Sequence, residues 1–390
     1  MSKLIVEVCT VDKIERHPNA DRMVVATVKG WKTCIRFDPE SGMAEFAVGD
    51  RCIFFPPDSV LLPELANGAD ESPAGRLNVR KYLSPLPAAA DGIVPPGGRV
   101  RAARMRGIAS FGVITKIDPT LGDDPNWAVG TDLAEHFGVT KWDPPPEILG
   151  EDCLPEHILF HRYTEIENLG NFPEAIPDGV EVVFSEKLHG KNCRLASVLT
   201  EGEDGAESDW QWMVGSHDAR LKEVTAKGTR SPFWQALGEK EKALIAYIRD
   251  EMPFDGARCA VILFGELFGS GVQDMAYGLK DGEKRLRVFD ISINGNYLDY
   301  DVKRDLCAKF GVEMVPVLYR GPYSKAAVEE HTSGPTTMCE KGNIAGKFKG
   351  REGIVATPVT EQYSSGVCGR MIVKSISADY LERKGGTDSH

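Results

Sequence analysis

From residue 3 to about 117 the chain runs in short, β-branched-rich stretches separated by Gly, Pro, Asn and Asp. Lys3 to Cys9, Met23 to Val28, Trp31 to Phe37, Arg51 to Phe55, Arg99 to Met105 and Gly112 to Ile117 have strand length and strand composition, which predicts a small all-β barrel or sandwich. Around Trp142-Asp143-Pro144-Pro145-Pro146-Glu147 the pattern changes: residues 142 to 157 hold five acids and no base with a triple proline, as in a stiff exposed linker. Beyond it, buried-type strands (Val180 to Phe184, Cys193 to Leu199, Trp210 to Val214, Ala260 to Leu263, Leu286 to Ile291) alternate with one helical pattern, Phe233 to Met252, expected to end before Pro253. The expected division is therefore 1–140, a linker 141–157, an α+β domain 158–383 and a polar tail 384–390 without fixed structure.

The turn His17-Pro18-Asn19-Ala20-Asp21-Arg22 before an alternating strand resembles the opening of OB-type domains of the tRNA-binding kind. Val48-Gly49-Asp50-Arg51 and Pro57-Asp58-Ser59-Val60 strengthen that resemblance. OB barrels commonly bind oligonucleotides. The expected fold class is thus α+β, with an N-terminal OB-like β-barrel leading into the larger domain.

Composition narrows the function classes. The 390 residues are 42% hydrophobic and 27% charged, enough for two or three packed domains. The longest apolar runs are broken by Gly or an acid far short of a membrane span, and Glu7 interrupts the apolar start too early for a signal peptide. A cytoplasmic protein with no membrane partner and no obligate protein partner is expected. Nine scattered cysteines without a C-x-x-C pair read as reduced thiols rather than as disulfides or a zinc site. The pair His157 and His161 lacks a third ligand and reads as packing. Forty-six basic against fifty-eight acidic side chains give a net charge of -12, so any grip on phosphate must be local. Two places qualify. Residues 92 to 117 carry Arg99, Arg101, Arg104, Arg106 and Lys116 with no acid, and alternate arginines on strands could share a face that holds a phosphate backbone. Between Lys341 and Lys374 six basic residues (Lys341, Lys347, Lys349, Arg351, Arg370, Lys374) face two acids, Glu352 and Glu361.

The sharpest local signal is Ser185-Glu186-Lys187-Leu188-His189-Gly190-Lys191-Asn192. A lysine at a strand end, followed by a Gly that lets a ligand approach the backbone, suits a nucleophilic amine. Four segments follow in order: Glu266 within Leu263 to Gly269, Phe289 within Val288 to Ile291, Glu352 before Gly353-Ile354-Val355, and Lys374 at the end of a later strand. Carboxylates in apolar strands are costly unless they meet a cation or donors.

In this ordered set the chain resembles the covalent nucleotidyltransferases, the superfamily of polynucleotide ligases and mRNA capping enzymes. The nucleophile motif Lys-x-(Asp/His/Asn)-Gly is matched by Lys187 to Gly190, and Glu186 with Asn192 fits the form typical of RNA ligases. A barrel ahead of the catalytic domain, with Ser231-Pro232-Phe233-Trp234 and Gly271-Val272-Gln273-Asp274, resembles the Deinococcus-type or fifth RNA ligase family. One departure is Ile372, which stands where the fifth motif often has a first lysine.

The resemblance implies an α+β adenylyltransferase domain and an ATP-dependent RNA ligase that joins 3'-hydroxyl and 5'-phosphate ends, as in nick sealing or RNA repair, through lysyl-AMP and an adenylylated end. It implies Lys187 as nucleophile, Glu266 and Glu352 as holders of Mg2+ or Mn2+, and Lys374 as a further catalytic residue. Glu186 would accept from the adenine amino group, Phe289 would stack on the base, and Ser216 in Val214 to His217 would meet the ribose. His189, Gly190, Asn192 and Lys349 would complete the ATP site. A DNA ligase or capping guanylyltransferase would share the lysine chemistry and differ in acceptor or nucleotide. A non-catalytic OB-type RNA-binding protein would not need Lys187, Glu266 and Glu352 together.

Overall fold

Sheets carry nearly all of the architecture in the computed structural model, which describes residues 4–62, 65, 83–86, 97–142, 150–200, 208–252, 259–339 and 348–383. The class is mixed α+β with few helices. The chain divides into two compact units: Met1–Pro145 with Glu167–Pro173 and Ala378–His390, and Pro146–Ile166 with Glu174–Ser377. The core of the expected linker and the tail from residue 384 lie outside the described residues.

In the first unit the strand Glu7–Arg16 pairs with both Met23–Val28 and Arg51–Phe55, Met23–Val28 pairs with Trp31–Asp38, and Val113–Lys116 adds to Arg51–Phe55. Period-2 alternation buries Val24, Ala26, Ile35, Cys52 and Phe54 around one core. The OB-like barrel is met in part. The sheet ladder stays open, but the Phe111 N–H donates to the Lys32 carbonyl at 2.7 Å and bends the segment ahead of Val113 back toward Trp31–Asp38. The expected strand Arg99 to Met105 is two strands, Gly98–Val100 and Ala103–Met105, in different sheets.

The second unit is built on two antiparallel sheets. One contains Asp209–Ser216, Lys191–Thr200, Ala260–Gly269 and Lys284–Ile293 side by side; the other contains Val373–Ile376, Gly353–Pro358, Glu181–Lys187 and Val317–Pro322. Alternation sends Leu195, Val261, Leu263 and Ile291 to one face, where they pack on Leu244, Ile245 and Ile248 of the helix Glu239–Asp250 and on Leu306 and Cys307 of the helix Tyr300–Phe310. The opposite face carries Ala196, Ile262 and Phe264, and Ile372 and Val355 pack against it from the other sheet. The helical pattern from Phe233 is broken: a turn Pro232–Gln235 precedes the helix proper, at whose entry Glu241 Oε2 accepts the Gly238 N–H at 3.1 Å. The helices Tyr300–Phe310 and Lys325–Thr332 are additional to the sequence expectation. All nine cysteines are free.

Candidate active site

The strand Glu181–Lys187 delivers Lys187 at its end, in register with Gly353. Gly353 has no room for a side chain, since a Cβ there would lie 2.1 Å from the Ser375 carbonyl oxygen. The lysine therefore meets the residue just before that tight crossing: Lys187 Nζ donates to Glu352 Oε1 at 2.5 Å. The turn that follows, Leu188 to Gly190, leads into Lys191–Thr200, where Asn192 is the register partner of Glu266. Gly190 donates its N–H to Glu266 Oε1 at 2.8 Å, and a Cβ on Gly190 would strike the Leu267 carbonyl at 2.3 Å, so only glycine fits.

His189 is buried beside this pair. Its Nδ1 lies 3.4 Å from Glu352 Oε2, its Nε2 2.9 Å from Asp274 Oδ1, and its N–H donates to the Tyr277 hydroxyl at 2.6 Å. Burial disfavours the Glu352 anion, yet Lys187 and His189 outweigh it and hold the carboxyl at about 2. Glu266 goes the other way: burial pushes it up to about 8, Glu352 adds to the shift, and Lys187 and the Gly190 N–H only partly offset it. Two neighbouring buried carboxyls shifted in opposite directions, one by burial and one by its cations, make this cluster a candidate for a functional site.

Phe289 is placed by a β-bulge. Phe264 pairs with Asp290 and Gly265 with Val288, which leaves Phe289 unopposed in its ladder and its ring edge-on to Tyr163 at 4.9 Å. Behind it Asp290 is fully buried and bound by Tyr163, Lys303 and Arg370. Lys374 is buried opposite Val355, and Ile372, just ahead of the strand Val373–Ile376, is part of the apolar cluster with Phe264. An apolar floor is what the structure has where a first lysine was looked for.

Several expected contacts are placed differently. Glu186 is adjacent to Lys187 in a strand, so its side chain leaves from the opposite face. There its carboxylate accepts from the Thr336 hydroxyl at 2.5 Å and from Thr337 N and Oγ1 at 2.8 and 2.6 Å, so it does not face the lysine side to read a base. The Ser216 hydroxyl accepts from the Ala219 N–H within its own turn, while Arg194 Nε, fully buried, donates to the Ser216 carbonyl. Lys349 is exposed, and Lys341 and Lys347 lie outside the described residues. His161 bonds Ser292 Oγ at 3.0 Å and stacks near Phe264, apart from His157, whose Nδ1 accepts from Leu159 N.

The four arginines of the first unit do not form a row on one face. Arg99 is buried, donates to Asp58 Oδ1 at 2.6 Å and lies 3.7 Å over the Trp142 ring. Arg101 donates to the Arg383 carbonyl at 2.8 Å, and Arg104 pairs with Glu382 and Asp379. Arg106 stands at a turn with φ of 45° and donates to the Asn19 carbonyl at 3.4 Å. Apart from the Gly107 carbonyl, which Arg104 also meets at 3.0 Å, their partners sit 41 to 282 residues away, which no local pattern of arginines could reveal.

The family model for RNA ligases matches residues 180–376, the span that carries Lys187, Glu266, Phe289, Glu352 and Lys374. The chain belongs to the RNA ligase family. Comparison with curated proteins by sequence finds no match. Among solved structures, the fold of this RNA ligase family member is similar to that of a Naegleria gruberi RNA ligase variant with ATP and Mn, 22% identical over 98% of this chain and 100% of that one at a TM-score of 0.68. The same organism's RNA ligase with PPi is 24% identical over 97% and 98% at 0.66, and a variant with AMP and Mn is 23% identical over 98% and 99% at 0.68. Sequence reasoning on this RNA ligase family member missed Thr336 and Thr337 as holders of Glu186, and Tyr277 and Asp274 as holders of His189. Only Asp274 had a signal, as part of Gly271 to Asp274.

Proposed function

We propose that the protein is an ATP-dependent RNA ligase of the Deinococcus type, working in the cytoplasm, that joins a 3'-hydroxyl to a 5'-phosphate. The observation that carries this reading is the Lys187–Glu352 contact, with Glu266 gripping the Gly190 N–H on the other side of the motif turn. The relatives solved with ATP, AMP and PPi support the nucleotide, and the RNA ligase family supports RNA as acceptor.

In this reading Lys187 Nζ attacks the α-phosphorus of ATP, forming the N–P bond as the bond to pyrophosphate breaks. The AMP then passes to the RNA 5'-phosphate, and the 3'-hydroxyl displaces it. Each step is an in-line transfer, in which positioning and charge neutralisation supply most of the rate. Lys187 must first lose a proton; the Glu352 anion at 2.5 Å holds and orients the ammonium, and positive charge brought in with the nucleotide would favour the amine form. Phe289, aimed by its bulge, provides a ring for the base, with Ile372 and Val355 as an apolar floor. Lys374 supplies positive charge for phosphate.

A divalent cation fits the residues present. Among the described residues no three His, Cys, Asp or Glu side chains group to hold a metal unaided. Among the described residues, Asn192 Oδ1 and Glu352 Oε2, the latter with His189 Nδ1 at 3.4 Å as an ionic neighbour, are nevertheless buried without a hydrogen bond. Mg2+ or Mn2+ takes one or two carboxylates and completes its shell with water and substrate phosphate, so Glu352 and Glu266 with Asn192 nearby are a suitable donor set. When bound, the cation neutralises phosphate charge. Incubation with labelled ATP and, separately, labelled GTP followed by a denaturing gel tests the proposal. Covalent label from ATP alone is expected; label from GTP favours a capping guanylyltransferase, and label from neither favours a non-catalytic RNA-binding protein.

A further inference from the structure

We propose that Asp274 is a positioning residue for the lysine nucleophile and acts through His189, an inference that rests on reading Lys187 as the adenylylated residue. Four contacts form one chain. Asp274 Oδ1 meets His189 Nε2 at 2.9 Å, His189 Nδ1 faces Glu352 Oε2 at 3.4 Å, and Glu352 Oε1 accepts from Lys187 Nζ at 2.5 Å. The fourth comes from the same segment as Asp274: the Tyr277 hydroxyl accepts the His189 N–H at 2.6 Å. One stretch, Ser270 to Glu283, thus holds the motif turn by side chain and by backbone.

That stretch is itself fixed. Tyr277 has φ of 49°, in the left-handed region that bulky residues rarely enter, and its ring packs edge-on against Phe268 at 5.3 Å. The hydroxyl is thereby held where the His189 N–H needs it. A carboxylate on one nitrogen of a histidine ring decides which nitrogen faces the other side. Asp274 makes that decision. With the ring fixed, Glu352 has a wall on one side and Lys187 on the other. Released, the ring can swing from Glu352, and in-line attack tolerates little displacement of the nucleophile.

The competing account is an ion pair of no consequence. Asp274 is 64% exposed, and pairs at such sites contribute little to stability. That exposure also makes the test clean, because removing the side chain opens no cavity. The experiment measures single-turnover formation of lysyl-AMP at saturating labelled ATP, the KM for ATP and the thermal midpoint in wild type, Asp274→Ala, Asp274→Asn, His189→Ala and the Asp274→Ala/His189→Ala double variant. Asp274→Ala is expected to slow the step about 10–100-fold, the usual cost of removing an orienting carboxylate, with KM and midpoint as in wild type. Asp274→Asn keeps an acceptor oxygen and should recover most of the rate. In the His189→Ala background the Asp274 change should add nothing, because both act through one contact. Labelled wild type with an equally fast Asp274→Ala, or losses that multiply in the double variant, would overturn the role of Asp274 alone. A wild type that takes no label from ATP overturns the Lys187 reading, and the positioning role falls with it.

Discussion

Lys187 and Glu352 are 165 residues apart in sequence and 2.5 Å apart in space, brought together because Lys187 is the register partner of Gly353. The pairing makes each the other's nearest compensation in a poorly solvated place. In the proposed reading it also separates two roles that a motif alone merges, the amine that reacts and the carboxylate that holds it.

The first prediction follows. Lys187→Ala should abolish covalent labelling by ATP while the far-ultraviolet circular dichroism stays that of the wild type. Lys187→Arg should be equally dead, because a guanidinium keeps the charge beside Glu352 but cannot act as an amine nucleophile. Label on either variant would place the adenylylated residue elsewhere.

Glu266 and Glu352 should both matter, through different contacts. Removing one transition-state stabiliser costs about 3 kcal/mol, roughly a hundredfold in rate, and each Ala variant is expected to lose at least that in sealing. Activity that falls only in step with the folded fraction, followed by thermal melt, would reassign that carboxylate to folding.

The parts of this protein that were legible beforehand are those written locally. Alternation placed the strands around Met23–Val28, Lys191–Thr200 and Ala260–Gly269, and the compact lysine motif falls where the strand Glu181–Lys187 ends in a turn. What was not legible depends on distant partners or on exceptions to period. Glu186 reads from sequence as a contact for the base, and the sequence gives no sign that Thr336 and Thr337, 150 and 151 residues away, donate to its carboxylate. Phe289 owes its direction to a bulge that no alternation predicts. The helix Tyr300–Phe310 buries only Lys303, Leu306 and Cys307, too narrow an apolar stripe to stand out among its charges.

Asp290 supplies a pH prediction. Burial opposes its ionisation, but Lys303 and Arg370 outweigh that and hold it below the usual carboxylate range. A depressed folded-state pKa contributes stability above the unfolded value of about 3.9, and that contribution is lost as pH falls through the lower folded value. Asp290→Asn should therefore lower the urea midpoint near neutrality, since Lys303 and Arg370 lose their buried partner at a cost of about 3–5 kcal/mol. Its midpoint should also fall less than that of the wild type on going below pH 4. Parallel acid profiles for the two proteins would refute the assignment.

The arginines give the last prediction, and burial divides them. Arg99 at 7% exposure is tied to Asp58 and lies over Trp142, so Arg99→Ala removes a cation from a buried carboxylate and its packing on the indole, and should lower the melting midpoint of the first unit clearly. Its effect on RNA binding would then follow from lost folded protein. Arg101 and Arg104 are engaged by the Arg383 carbonyl and by Glu382 with Asp379, which compete with phosphate for their donors. Arg106, at its turn beside Asn19, is the member whose guanidinium is least committed. Arg106→Ala should leave the melt unchanged and, if the first unit grips RNA there, weaken binding with a salt dependence shallower by about one counterion. Deleting residues 1 to 150 is a blunter test, because Gly170, which remains, lies so close to Trp31 that a Cβ would come within 2.3 Å of the indole. Sealing of a pre-adenylylated nick bypasses ATP and isolates the grip on RNA. An Arg106→Ala protein that seals it with the affinity and salt slope of the wild type would return all four arginines to structural work.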